Sequence, residues 1–208
     1  MDFKPALKKA LESKKRNFEQ TVELIINLKG IDTKVFSLND AIKLPAGRGK
    51  GVKICAVGSG DFVVKAKKCA DRTFDVKELL EVKEKKEKRK LANEYEHFVV
   101  EANVMTDFAK ALGQFLGPRG KMPLPHHIVP PGGDPCPKVA LLRDTVRIKA
   151  KKSPVVQVPI GTEKMSVEEL EKNAHAVMEF LIHKLERGNE NVKEVLVKLT
   201  MGPAVKVE

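Results

Sequence analysis

The sequence lacks a long apolar segment. A membrane-spanning helix requires about 20 consecutive apolar residues, and no stretch of this 208-residue chain approaches that length. The first residues, Met1 to Pro5, lead into a charged amphipathic segment and not into the apolar core of a secretion signal. We therefore expect a cytoplasmic protein that makes no membrane contact.

Cysteine is scarce. Cys55, Cys69 and Cys136 are odd in number, widely spaced and outside any CxxC pattern. Disulfide frameworks normally show even numbers of cysteines in a secreted chain, and structural metal sites show short, regular spacings. We expect all three cysteines to be reduced, as small core or surface residues.

The motifs of common enzyme classes are also missing. The sequence has no GxxxxGK[ST] phosphate loop, no HExxH zinc motif and no GxSxG nucleophile elbow. Gly58-Ser59-Gly60 begins like a dinucleotide fingerprint, but Val63 stands where the third glycine is required. Neither His126-His127 nor the other histidines are spaced as ligands of one metal ion. We expect no catalysis, no metal and no cofactor.

Positive charge is present in excess. Thirty-nine lysines and arginines against 28 acidic residues give a net charge of +11. A field of this sign attracts polyanions, and nucleic acid is the commonest one, although many basic proteins bind none. The densest run is Val82 to Lys90 (VKEKKEKRK), which is more typical of a solvated helix face than of a phosphate contact.

Two breaks divide the chain, at residues 44–51 (LPAGRGKG) and 151–154 (KKSP). Outside them, amphipathic strands alternate with one-sided helices. Between them, short apolar runs and helical periodicity indicate βαβ units in a mainly parallel sheet. We predict an α/β and α+β protein of two domains: a split-terminal α+β sandwich (1–50 and 154–208) and an inserted Rossmann-like three-layer α/β domain (51–153). A hinge at the two linkers is plausible.

The periodicity also predicts individual elements. Helices are expected at 4–15, 62–70, 78–95 and 105–116, and a long one after Ser166, with Glu169 closing a capping box and Gly188 ending it. Strands are expected at 18–28, 53–58, 97–100, 145–150, 156–160 and 192–200.

Two loops are candidates for binding. Residues 116–123 (LGPRGKMP) combine a permissive backbone with two cations, and they suit a phosphate contact and a helix-terminating turn about equally. Residues 200–203 (TMGP) follow a strand and offer a hydroxyl, free amides and a glycine. Chemistry alone favours an ordinary strand-ending turn there.

These two loops and the segment Arg16 to Glu23 (RNFEQTVE) resemble the large-subunit ribosomal protein L-one family, a ribosomal stalk protein, in its archaeal type. The resemblance covers essentially the whole chain, in the same order of segments. It implies a protein of the large-subunit stalk that binds large-subunit rRNA near the tRNA exit site. It also implies repression of translation through binding to its own mRNA, contact with exit-site tRNA, and a monomer off the ribosome.

The resemblance places the main RNA surface on the terminal domain. The RNA-binding residues it implies, together with nearby cations, are Arg16, Phe18, Thr21, Glu23, Lys164, Lys198, Thr200, Met201, Gly202 and Pro203. A secondary RNA contact is expected at Gly117, Arg119, Gly120 and Lys121. Asn17 departs from the pattern, because many relatives have a lysine immediately before the phenylalanine; Arg16 offers a cation from a different direction.

If the first and last strands are neighbours, Thr21, Glu23 and Thr200 share one polar sheet face. Hydroxyls and a carboxylate on such a face can read ribose 2′-hydroxyls, while nearby lysines position the RNA backbone. A nucleotide-dependent enzyme built on the middle domain is the alternative from another class. A general nucleic-acid chaperone is a third hypothesis, which predicts equal affinity for unrelated RNAs.

Overall fold

The computed structural model describes residues 2–14, 16–31, 37–82, 84–151 and 153–207. The helices and strands within these residues follow in chain order: α1 Lys4–Leu11, β1 Thr21–Leu28, β2 Ser37–Lys43, β3 Ile54–Gly58, α2 Asp61–Ala66, β4 Arg72–Asp75, α3 Val76–Glu81, α4 Lys85–Glu94, β5 His97–Glu101, α5 Met105–Arg119, β6 Ile128–Val129, α6 Cys136–Arg143, β7 Thr145–Lys151, β8 Val155–Thr162, α7 Val167–Lys184, β9 Val192–Leu199 and β10 Val205–Lys206. Short 3₁₀ helices lie at Ala102–Val104, Pro125–His127 and Gly188–Asn191.

The contacts divide the chain into two units. The terminal unit contains residues 1–50 and 144–208, and the middle unit contains residues 51–143. Our expected second boundary, between 153 and 154, lies ten residues too far along the chain. The reason is β7, which pairs antiparallel with β2 and packs beside β8, so both of its neighbours belong to the terminal unit.

The terminal unit is built on an antiparallel sheet of strand order β10-β9-β1-β8. Along β1, buried and partly exposed residues alternate strictly, so Val22, Leu24 and Ile26 face the core. Helices α1 and α7 cover that face, while the other face carries the polar residues of β1 and β9.

Helix α7 begins with the expected capping box: Ser166 accepts a hydrogen bond from the Glu169 backbone N–H, and the Glu169 carboxylate accepts from Ser166. The helix ends at Lys184, before Gly188. Within it, the fully buried Asn173 accepts from the Ala46 N–H and donates to the carbonyls of Gly47 and Ile160. The first half of the 44–51 linker is therefore fastened to the terminal unit.

The middle unit contains a parallel sheet of order β4-β3-β5-β6. Every residue of β3 and β5 is buried, as expected for strands covered on both faces. One core includes Cys55 and Val57 with residues of α3, α4 and α5, and the other includes Ile54 and Ala56 with residues of α2 and α6. The sheet and the helices on its two faces form three layers, so the predicted fold class is confirmed.

Several expected elements differ in detail. The first strand starts at Thr21 and not at Phe18, and the helix expected at 62–70 ends at Ala66. The helix expected at 78–95 is two helices, α3 and α4, with an extended backbone at Val82 and Glu84. Lys83 lies outside the described residues, as do Lys15 of the first expected helix and Lys152 of the second linker.

The expectation of three reduced cysteines is wrong for two of them. Cys69 and Cys136 form a disulfide across 67 residues of sequence, with their Cα atoms 5.5 Å apart. The fold brings the residues after α2 to the start of α6, a proximity that no local spacing reveals. Cys55 is free and buried, and burial raises the pKa of its thiol to about 12.

Candidate nucleic-acid interface

The strands β1 and β9 are neighbours in the sheet, which is the condition for Thr21, Glu23 and Thr200 to share one face. Their register pairs Val22 with Leu199 and Glu23 with Lys198. Beyond this pairing, the Thr200 N–H donates to the Thr21 carbonyl at 3.0 Å. The Thr200 hydroxyl accepts from the Thr21 N–H and donates to the Thr21 carbonyl, each at 3.2 Å. The first and last strands therefore close on each other where the TMGP loop begins.

The face away from the helices carries polar groups at this end of the sheet. Thr21 and Glu23 alternate with the buried Val22 and Leu24, so both lie on that face. Lys198 is directly across from Glu23, at cross-strand pairing distance. The structure thus brings together Thr21, Glu23, Lys198 and Thr200, although Glu23 and Lys198 are 175 positions apart in the sequence.

Gln20 orders the TMGP loop, and the motif comparison did not single it out. Its side chain is 1% exposed. Its Oε1 accepts a hydrogen bond from the Met201 N–H at 3.2 Å, and its Nε2 donates to Glu163 at 3.3 Å. The only signal for this role in the sequence is the position of this glutamine immediately before the first strand.

Gly202 packs closely against the end of the α1 segment. Its N–H donates to the Leu199 carbonyl at 2.9 Å. A Cβ at this position would lie 3.0 Å from the Ser13 Oγ and 3.2 Å from the Leu199 Cβ. A larger residue would therefore require the Ser13 side chain or the loop to shift by a few tenths of an ångström. Pro203 follows it and is exposed.

Two large apolar side chains are exposed at this site. Phe18 is 53% exposed and Met201 is 59% exposed. Only three other large apolar residues in the described part of the chain, Val64, Leu80 and Leu141, are exposed, and all belong to the middle unit. Phe18 lies two residues before Gln20, whose side chain holds the backbone of Met201.

The cations of the site have acidic neighbours. Lys164 forms an exposed ion pair with Glu19 at 2.9 Å. This hydrogen bond lowers the pKa of the Glu19 carboxyl and raises the pKa of the Lys164 ammonium. Arg16 is exposed, as is Asn17 after it. Long-range attraction at this site is thus moderated by carboxylates.

The second predicted contact, at Gly117 to Lys121, has a structural role. The Lys121 ammonium donates to the carbonyls of Ala92 and Tyr95, each at 2.8 Å, where α4 ends. Arg119 donates to the Asn93 side chain and the Phe115 carbonyl. Gly120 has a left-handed backbone and ends α5. These contacts favour the helix-terminating turn, and burial lowers the pKa of Lys121.

The carboxyl ends of the parallel strands in the middle unit form a poor phosphate site. In a doubly wound sheet, ligands bind where the strand order reverses, here at the carboxyl ends of β3 and β5. The buried Glu101 carboxylate lies there and accepts from the Ser59 N–H and hydroxyl, both at 3.0 Å. A phosphate would face this carboxylate. Among the described residues, no group of three or more His, Cys, Asp or Glu could hold a metal, and no helix is long and apolar enough to cross a membrane.

The chain is similar to known proteins over nearly its whole length. The model of the ribosomal protein L1p/L10e family matches residues 7–203. A large ribosomal subunit protein uL1 from Thermoplasma volcanium is 43% identical over 198 residues, covering 94% of this chain and 90% of the relative. Proteins of the same name from Thermococcus kodakarensis (46% over 202 residues, 94% and 91%) and Nanoarchaeum equitans (42% over 210 residues, 97% and 97%) are also similar.

Proposed function

The chain belongs to the ribosomal protein L1p/L10e family, and we propose that it binds large-subunit rRNA through the Thr21–Thr200 surface. This surface comprises Arg16, Phe18, Thr21, Glu23, Lys198 and residues 200–203. The relatives are archaeal ribosomal proteins and not enzymes, so the resemblance to the archaeal type is confirmed. The protein would act in the cytoplasm as a non-catalytic component of the large ribosomal subunit.

One observation supports the proposal most strongly. Among the described residues of the terminal unit, the two large apolar side chains that are exposed, Phe18 and Met201, lie in the segments that Thr21 and Thr200 hold together. Exposed apolar side chains beside ordered polar groups are typical of binding surfaces. Bases and ribose rings can pack on them without sequence-specific hydrogen bonds.

The hydrogen bonds determine what the polar groups can read. The hydroxyl proton of Thr200 is used toward the Thr21 carbonyl, so an RNA group meets the remaining acceptor capacity of this oxygen. Glu23, when ionised, is also only an acceptor. Two acceptors on one sheet face repel phosphates but suit ribose 2′-hydroxyls, which donate. DNA lacks this donor, so the pair favours RNA.

The lysines would position the RNA backbone and make the binding affinity depend on salt concentration. Lys198 borders the acceptors, and Lys164 stands beside Glu19 at the edge of the surface. Because each cation has a carboxylate neighbour, its contribution to binding should be moderate and screened by salt. Affinity should therefore depend mainly on shape and on hydrogen bonds to ribose.

The family resemblance supports three finer proposals. A surface that recognises RNA shape binds any RNA of the same local structure. A similar structure on the protein's own mRNA would therefore be a second ligand, and binding of the protein to it would repress translation. The protein would occupy the stalk near the tRNA exit site and contact exit-site tRNA there. Off the ribosome it would be a monomer. Competition between the mRNA leader and a stalk-rRNA fragment tests the repressor role: failure to compete would exclude a shared site.

Filter binding with a stalk-rRNA fragment tests the main proposal. Thr200→Ala combined with Met201→Ala should weaken binding at all salt concentrations. The control, Thr106→Ala with Val64→Ala, removes an exposed hydroxyl and an exposed apolar side chain from the middle unit and should bind like wild type. Affinity of the first double variant equal to the control would contradict the site assignment. Saturable micromolar nucleotide binding by the wild type would favour the enzyme alternative.

A further inference from the structure

A basic groove of about 960 Å³ lies on the middle unit between β4 and α4. Its cations are contributed by three separate segments. Lys53 precedes β3, Arg72 begins β4, and Lys86, Arg89 and Lys90 belong to α4. Two carboxylates, Glu87 and Glu94, also line it. All five cations are exposed, so the groove presents an excess of positive charge to solvent.

Helix α4 directs its charge into this groove. Lys86, Arg89 and Lys90 have i, i+3 and i+4 spacing, so they share one face of the helix. Residues 85–90 contain five cations and one acid, and like charges at this spacing destabilise a helix. Glu87 and Glu94, at i−3 and i+4 from Lys90, offset part of this repulsion. An anionic ligand in the groove would relieve the repulsion that remains.

Arg72 is held ready for such a ligand. Its guanidinium carbon lies 4.7 Å from the centroid of the Phe74 ring, and the ring is buried. Stacking fixes the guanidinium plane and leaves donor edges for a planar or tetrahedral anion. Lys53 is held by Glu94 at 3.2 Å in an exposed ion pair. An anion can displace that carboxylate, because exposed ion pairs are weak.

We propose that this groove binds the phosphate backbone of double-stranded RNA, as a contact separate from the Thr21–Thr200 surface and independent of it. Phe74 is the one aromatic ring among the residues lining the groove, and Arg72 covers it. Unpaired bases therefore find no exposed ring on which to stack, which disfavours single strands. A duplex presents regularly spaced phosphates that a row of cations can follow without contacting bases.

The test uses the full chain carrying Thr200→Val and Met201→Ala, so that the proposed rRNA surface is weakened equally in every protein compared. The probe is a labelled blunt RNA duplex of about 16 base pairs, measured by fluorescence anisotropy over a range of salt concentrations. The groove variant is Lys86→Gln with Arg89→Gln and Lys90→Gln. The matched control is Lys67→Gln with Lys68→Gln and Lys77→Gln, which removes the same charge from exposed positions outside the groove.

The groove variant should reduce the slope of log affinity against log salt by about 2 to 3, as expected for three lost phosphate contacts. The control should change it by less than about 1. Equal effects of the two triple variants on the salt slope would rule out the groove as the duplex-binding site. A single-stranded RNA with the same number of phosphates should bind more weakly; equal affinity with equal sensitivity to the groove variant would overturn the duplex assignment.

A gain of binding excludes misfolding as an explanation. Glu94→Gln removes the carboxylate that holds Lys53, so duplex affinity should rise at low salt and the salt slope should steepen by about 1. Unchanged or weaker duplex binding by this variant would also overturn the proposal. Because every variant here carries the same weakened Thr21–Thr200 surface, the differences between the variants do not depend on the stalk-rRNA measurements.

Discussion

The Thr200 hydroxyl exchanges two hydrogen bonds with the backbone of Thr21, accepting from its N–H and donating to its carbonyl, each at 3.2 Å. This side chain therefore joins the two ends of the chain and also lies at the centre of the Thr21–Thr200 surface. Its single proton is committed inside the protein, so toward RNA it acts as an acceptor.

Gln20 should be a positioning residue for RNA binding. Gln20→Ala removes the acceptor that holds the Met201 N–H, so the TMGP loop should lose order and affinity for the stalk-rRNA fragment should fall by roughly tenfold, about one hydrogen bond. Amide hydrogen exchange at Met201 should accelerate, while exchange at Val22 and Leu24 stays slow. Wild-type exchange at Met201 together with wild-type affinity would contradict this role.

Lys198 should contribute mainly to salt dependence. Lys198→Ala should reduce the slope of log affinity against log salt by roughly 0.7 to 0.9, the value for one phosphate contact. Lys193→Ala is the matched control, because it removes an exposed lysine from the opposite end of β9. If the two variants show the same slope, Lys198 makes no phosphate contact.

Asn173 should stabilise the terminal unit. Asn173→Ala leaves the Ala46 N–H and the carbonyls of Gly47 and Ile160 without this partner. The free energy of unfolding should fall by about 3 kcal/mol, because buried polar groups without hydrogen bonds are unfavourable. Urea unfolding measures it, with the exposed Asn189→Ala as control. A loss no larger than that of the control would mean that Asn173 does not fasten the linker.

Glu169 should give the protein part of its acid sensitivity. Hydrogen bonds from Ser166, the backbone one first, lower the pKa of Glu169 in the folded state. Its stabilising contribution is therefore present above the unfolded pKa and is lost as pH falls through the folded pKa. Glu169→Gln should unfold at lower urea concentration than wild type at neutral pH, and the two midpoints should converge in acid. Glu168→Gln controls for net charge. A midpoint difference independent of pH would refute this.

Strong local patterns predicted much of the fold. The alternation from Val22 to Leu28, the apolar run from Phe98 to Val100 in β5 and the Ser166–Glu169 box each specify an element through nearby residues alone. β2 escaped prediction because only two of its residues, Leu38 and Ile42, have the apolar alternation of a strand. Because β2 was not predicted, nothing in the sequence indicated that β7 pairs outside the parallel sheet and belongs to the terminal unit.

The binding surface was predictable only in part. The TMGP and NFEQTVE motifs identified its residues through family resemblance, while their proximity depends on β1 and β9 being neighbours. The roles of Gln20 and Lys121 could not be read from residue type. Gln20 acts through a loop 181 positions away, and Lys121 caps a helix that ends 27 positions earlier. The same limitation hid the Cys69–Cys136 disulfide.

We propose that the Thr200 hydroxyl oxygen accepts a hydrogen bond from the RNA. The most direct measurement compares stalk-rRNA affinity of wild type, Thr200→Ser and Thr200→Val across salt concentrations. Serine keeps the hydroxyl and should bind like wild type. Valine keeps the shape and should weaken binding by about 1–3 kcal/mol, with an unchanged salt slope. Wild-type affinity for Thr200→Val, or a loss of affinity that disappears at low salt, would show that Thr200 accepts no hydrogen bond from the RNA.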